Sequence, residues 1–110
     1  MIDFEKALSG MGGDRSLLNE TLQDFIDFYT DAGDKIGIAI GEQRYHDAEI
    51  VAHNLKGLGA IFAAKELRSS AAAMEKALQH EALDQLDELL AELKAVIDQM
   101  VVATGEFLSR

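Results

Sequence analysis

The 110-residue chain contains no cysteine and no proline. Without cysteine, disulfides, thiolate chemistry and cysteine-ligated zinc are excluded. Without proline, an all-β fold built from many tight turns is disfavoured. Basic residues are scarce: ten Lys and Arg stand against twenty Asp and Glu, giving a formal charge of −10. That balance argues against nucleic acid as the main partner, because phosphate binding needs a cationic surplus. It argues equally against an anionic membrane surface. No apolar run reaches the roughly 18–20 residues that span a bilayer. The start, Met1-Ile2-Asp3-Phe4-Glu5, lacks the basic-then-apolar build of a secretory signal. A cytoplasmic setting is expected. What is there is ordinary for a globular protein, 48% hydrophobic and 27% charged, and the length suits one domain over residues 1–110.

Glycines punctuate the chain. Asp3 suits the N-cap of a short helix ending at Gly10, and Gly12-Gly13 form a joint before a second cap at Asp14. Leu18, Leu22, Phe25 and Tyr29 then repeat at helical spacing, widened by Leu17 and Phe28. Between Asp31 and Glu42, Gly33, Gly37 and Gly41 share a helical stripe while Ile36, Ile38 and Ile40 alternate as a strand would. A lone strand would have no partner, so a short helix with glycine-lined close packing is expected. A further helix is predicted from Glu42 to about Phe62, through Ala48, Val51, Leu55, Leu58 and Phe62. Another should run from Lys65 to Gln79 on a seam of Leu67, Ala71, Met74 and Leu78. The last should run from Ala82 to Phe107 on a near-heptad seam of Leu86, Leu90, Leu93, Ile97, Met100, Thr104 and Phe107. Long amphipathic helices with short connections give an all-α, antiparallel up-and-down four-helix bundle with an extra short N-terminal helix.

One position stands out chemically. At about 100° per residue, Val51, Leu55, Leu58 and Phe62 fall in one sector that must face the core, and His53 falls roughly opposite. Glu49, Lys56, Gly57 and Ala60 share its outward side. A glycine inside a helix costs about 1 kcal/mol against alanine. On an outer face, close packing within the monomer does not account for Gly57, which leaves an approach from outside near the His53 ring. The plainer readings are a surface histidine, a helix ending early at Gly57 or Gly59, and a Lys56 that is solvated or paired with Glu49. They weaken because the apolar periodicity continues through Leu58, Ile61 and Phe62.

Ala52-His53-Asn54-Leu55-Lys56-Gly57 closely resembles the A-H-x-L-K-G signature of histidine-containing phosphotransfer (HPt) domains. Leu67 and the Ala71/Met74-Glu75 pattern fall where that family carries its next helix, and the resemblance extends over essentially the whole chain. One departure is Ala63, where many members carry glycine at the joint before the next helix. The resemblance implies a phosphorelay intermediate. His53 would accept a phosphoryl group from a receiver-domain phospho-aspartate and pass it to another receiver. Lys56 would offset the phosphoryl charge, and Gly57 would give the receiver access. Ile50, Ala60 and Glu49 would contribute to docking, together with the Asp14–Tyr29 helix. The partners implied are response-regulator receiver domains and a sensor histidine kinase. Mg²⁺ would come from the receiver, with no cofactor of the chain's own.

Other classes fit less well. His46 and His53 are seven residues apart, about 10 Å along a helix, too far to chelate one ion, and His80 has no i+3 or i+4 histidine. An autonomous kinase is excluded by size and by the lack of a G-x-x-x-x-G-K-[ST] loop or a complete G-x-G-x-x-G. The phospho-accepting module of a chemotaxis-type kinase shares H-x-x-K-G and stays as an alternative. So does a helical dimerisation or adaptor module without phosphochemistry.

Overall fold

A computed structural model describes residues 2–110. Six α-helices follow one another: α1 (Phe4–Gly10), α2 (Arg15–Tyr29), α3 (Ala32–Gly41), α4 (Tyr45–Ile61), α5 (Lys65–Gln79) and α6 (Leu86–Leu108). The two predicted caps form. Asp3 accepts from the Lys6 N–H and Asp14 from the Leu17 N–H, each at 3.0 Å, satisfying donors that a helix start leaves unpaired.

Contacts along α6 reveal how the bundle is assembled. Arg15 lies over the Phe107 ring, a Cβ at Gly33 would meet Lys94, and one at Gly37 would meet Leu90. As the α2–α3 number rises the α6 number falls, so α2 and α3 together form one bent rod antiparallel to α6. The rod, α4, α5 and α6 are the four members of the up-and-down bundle. The short α1 closes one end of it, stacking Phe4 on Phe107 with ring centroids 4.2 Å apart. Ile2 pairs with Ala64 across the same end in an isolated bridge. Leu18, Leu22, Phe25, Ile36, Leu55, Phe62, Leu67, Met74, Leu93, Ile97 and Met100 fill the core.

Several expectations need correcting. The α4 helix begins at Tyr45 rather than Glu42, because α3 runs to Gly41 and the chain turns left-handed at Gln43 before α4 can start; Arg44 then bridges Glu42 and Asp47 at 2.8 Å across the turn. The final α-helix begins at Leu86, and Leu83–Gln85 form a 3-10 turn ahead of it. Leu90 on its seam is only half-buried. Gly33 and Gly37 do line a close approach to α6, whereas Gly41 faces open space.

The buried face of α4 is also displaced. Its fully buried residues are Ala48, Ala52, Leu55 and Gly59, while Val51 and Leu58 are half-buried. The true centre lies about 60° from the one that the large apolar residues mark. Small residues define it because they let neighbouring backbones come close.

Three helices end in the same way. Gln43, Ala63 and Glu81, each just past a helix, have φ of 60°, 50° and 52°. In each case the following N–H reaches back over the last turn: Arg44 to the Ala39 carbonyl, Ala64 to Gly59 and Ala82 to Ala77. These are Schellman closures with a side chain at the position where glycine costs least. The family departure at Ala63 therefore keeps the left-handed turn and carries its strain. Ala63→Gly is expected to stabilise the protein by about 1 kcal/mol, read as a raised urea midpoint at unchanged slope.

Candidate functional site

Two antiparallel helices, α4 and α5, build the site. They come into close contact at Gly59, where a Cβ would lie 2.6 Å from the Arg68 backbone nitrogen and 2.8 Å from its Cα. That intimate contact sets the register of the two helices. It brings Glu75 of α5 against the flank of α4 that carries His53 and Lys56.

Glu75 holds both residues. Its Oε2 lies 2.6 Å from His53 Nδ1 and its Oε1 lies 2.6 Å from Lys56 Nζ. Only 10% of the Glu75 side chain is exposed, against 64% for His53 and 36% for Lys56. A carboxylate so placed accepts from Nδ1–H, which leaves the Nε2 lone pair of a neutral imidazole unclaimed and turned toward solvent. The roughly 60° displacement of the buried face is what tilts His53 toward α5 rather than straight out.

The Glu75 carboxyl is held below the usual carboxylate range, first by the hydrogen bond from Lys56 and then by that from His53, against a burial that pushes it up. A depressed value in the folded state means stability that is fully present above the unfolded carboxylate value, near 4.3, and lost as pH falls through the lower folded value. The parent should therefore lose stability below about pH 4.3 more steeply than Glu75→Gln. At pH 7 the Gln variant should sit about 1 kcal/mol lower. Urea midpoints collected across pH check both.

The predicted site residues fall into two groups. Glu49, Ile50, His53 and Lys56 line one shallow groove with Glu75 and Gln79. Glu49 Oε1 accepts from Gln79 Nε2 at 3.0 Å, while Lys56 pairs with Glu75 rather than with Glu49. Gly57 and Ala60 lie outside that groove, on the outward face of α4. The helix runs past Gly57 to Ile61, so Gly57 does not end it. A Cβ at Gly57 would meet nothing within 4 Å. Gly59 does not end it either and is instead the buried point of contact with α5.

Sequence reasoning missed Glu75 and Gln79 as site residues. The signal available was a carboxylate set directly beside the apolar seam residue Met74, where a solvated charge is out of place. His46 reaches the groove's edge only through Glu49, its Nδ1 4.0 Å from Oε2, His80 does not line the groove, and among the described residues no group of three or more His, Cys, Asp or Glu is placed to hold a metal ion. No helix of the described residues is long and apolar enough to cross a membrane.

The Hpt domain family model matches residues 20–103, from within α2 to near the end of α6. Searches of curated proteins and of solved structures returned no match. The matched span holds α3, α4 and α5 whole and most of α2 and α6, together with His53, Lys56, Gly57 and Glu75, and the chain belongs to the Hpt domain family, phosphocarriers of two-component signalling that have no ATP site of their own.

Proposed function

We propose that His53 is the phospho-acceptor of a phosphorelay intermediate. It takes a phosphoryl group from the phospho-aspartate of one receiver domain and hands it to an aspartate on another. The observation that carries this reading is the Nδ1 contact to Glu75 on an otherwise exposed ring. In the forward step the Nε2 lone pair forms the N–P bond as the P–O bond to the aspartyl carboxylate breaks. The bonding electrons leave with that carboxylate. The ring then carries positive charge, and Glu75 stabilises it through Nδ1–H. Lys56, already beside Glu75, offsets the incoming phosphoryl charge. Onward transfer is the same exchange run toward the second aspartate.

Gly57 leaves room for the partner's loops, and Ile50, Ala60 and Glu49 belong to the docking surface. The receiver supplies Mg²⁺ for the transfer, so this chain needs no metal of its own. Phosphoryl groups enter the relay from a sensor histidine kinase in the cytoplasm.

Incubation with a phosphorylated receiver domain should place an acid-labile, base-stable label on this chain, and peptide mapping should locate it at His53. An acid-stable label, or one at His46 or His80, would overturn the reading.

A further inference from the structure

We infer that the cationic groove between α1 and the α4–α5 corner is a second contact for the protein that exchanges phosphoryl groups with His53, and that it takes a carboxylate-rich segment of that partner's surface. The inference rests on the phosphotransfer reading for the partner's role, and on its own observations for the site.

Lys6, Lys65 and Arg68 line one groove with Gly59, Ala60 and Ala63. Among the described residues none of these three cations is in an ion pair with a carboxylate. Of the seven cations elsewhere, six are engaged: Lys35, Arg44, Lys56 and Lys94 face carboxylates, and Arg15 and Arg110 lie over the Phe107 ring, while Lys76 stands apart from the groove on α5. The one acid lining the groove, Asp3, already accepts the backbone N–H of Lys6 as a helix cap. In a chain of formal charge −10, three cations on one small concave surface, none ion-paired within it and only Lys65 in the field of a neighbouring acid, Glu66, are a local reversal of sign.

Position strengthens the argument. Ala60 belongs to this groove and lies three residues beyond Gly57 on α4, seven beyond His53, or about 10 Å along the helix. The other end of the bundle, where α3 meets α4 and α5 meets α6, carries Glu42, Asp47, Glu81, Asp84, Asp87 and Glu88 against only Arg44 and Lys76. The protein is thus charged unequally from end to end. An acidic partner is repelled from the far end and drawn to the end that lies beyond Gly57. Such steering raises encounter rates by about 10 to 10³ and fades with salt. A second copy of this chain is the poorer occupant, because two bodies of charge −10 repel and a groove-to-far-end contact would not close on itself.

The test is binding of a deca-glutamate peptide to the full ¹⁵N-labelled chain at low salt. Amide shifts should concentrate at Ala60, Ala63, Lys65 and Arg68. Lys65→Glu/Arg68→Glu should weaken binding by about tenfold or more, whereas Lys35→Glu/Lys76→Glu, with the same change in net charge, should change it by no more than about twofold. Equal weakening by both pairs would reduce the effect to net charge and overturn the inference, as would shifts centred elsewhere or no binding. With a receiver that labels the parent, the Lys65→Glu/Arg68→Glu variant should need about ten times more receiver for half-maximal rate. Its final label should be unchanged, and the difference should shrink toward 0.5 M salt. An unchanged half-maximal concentration also overturns the inference. Peptide binding without any label on the parent would instead retain the acidic-ligand groove and defeat the phosphotransfer reading.

Discussion

His53→Gln is expected to abolish phosphoryl acceptance, with label from a phosphorylated receiver falling by at least about 100-fold, because it removes the one nitrogen nucleophile at the site. Glutamine can preserve much of the side chain's bulk and polarity, but its amide has no lone pair of comparable basicity. The fold should survive: His53 is exposed on the middle of α4, and glutamine is a better helix former than histidine. The loss of one hydrogen bond to Glu75 is softened by Lys56, which remains on the other carboxylate oxygen. Thermal stability should therefore stay within about 1 kcal/mol of the parent. His46→Gln and His80→Gln should label as the parent does. Full labelling of His53→Gln would show that the phosphoryl group goes elsewhere.

Gly59→Ala is expected to destabilise the protein by about 2–3 kcal/mol, even though alanine is the better helix former by about 1 kcal/mol. The added Cβ would sit 2.6 to 2.9 Å from the Arg68 backbone nitrogen, Cα and Cβ, and backbone cannot swing aside as a flexible side chain can. The helices must part, and the strain reaches the His53–Glu75 contact, which lies six residues back along α4 on the same helix pair. A fall of roughly 10–20 °C in Tm follows for a domain of this size. Gly57→Ala, two residues earlier, should do the opposite. Its Cβ meets nothing, so stability should rise by about 1 kcal/mol. If Gly57 serves the approach of a receiver, a bulkier replacement should leave the fold intact and slow transfer. Thermal melts of the two alanine variants side by side are the check. A destabilised Gly57→Ala would return Gly57 to internal packing.

The opposite behaviour of these two glycines shows where local reading ends. Periodicity located Gly57 on the outer face, and the structure leaves it in open space. The same periodicity gave no weight to Gly59 or Ala52, because small residues add little apolar signal. Yet they mark the centre of the buried face, since close backbone approach depends on having almost no side chain. Weighting by large apolar residues therefore rotated the expected core face of α4 away from the true one. The same weighting points His53 straight away from the core, whereas in the structure it leans on α5.

The sequence by itself determined the helices, the α1 and α2 caps, most of the buried seams and the exposure of His53. All of these depend on residues within a few positions of one another, where the 3.6-residue period and capping chemistry operate. Only the tertiary structure decided that Glu75, 22 residues from His53, claims Nδ1 and Lys56 together. It also decided that Lys6, from a helix at the far end of the chain, joins Lys65 and Arg68 in one groove. Both outcomes depend on the register and order of packed helices. That register is fixed by contacts such as Gly59 against Arg68, between residues that no local pattern links.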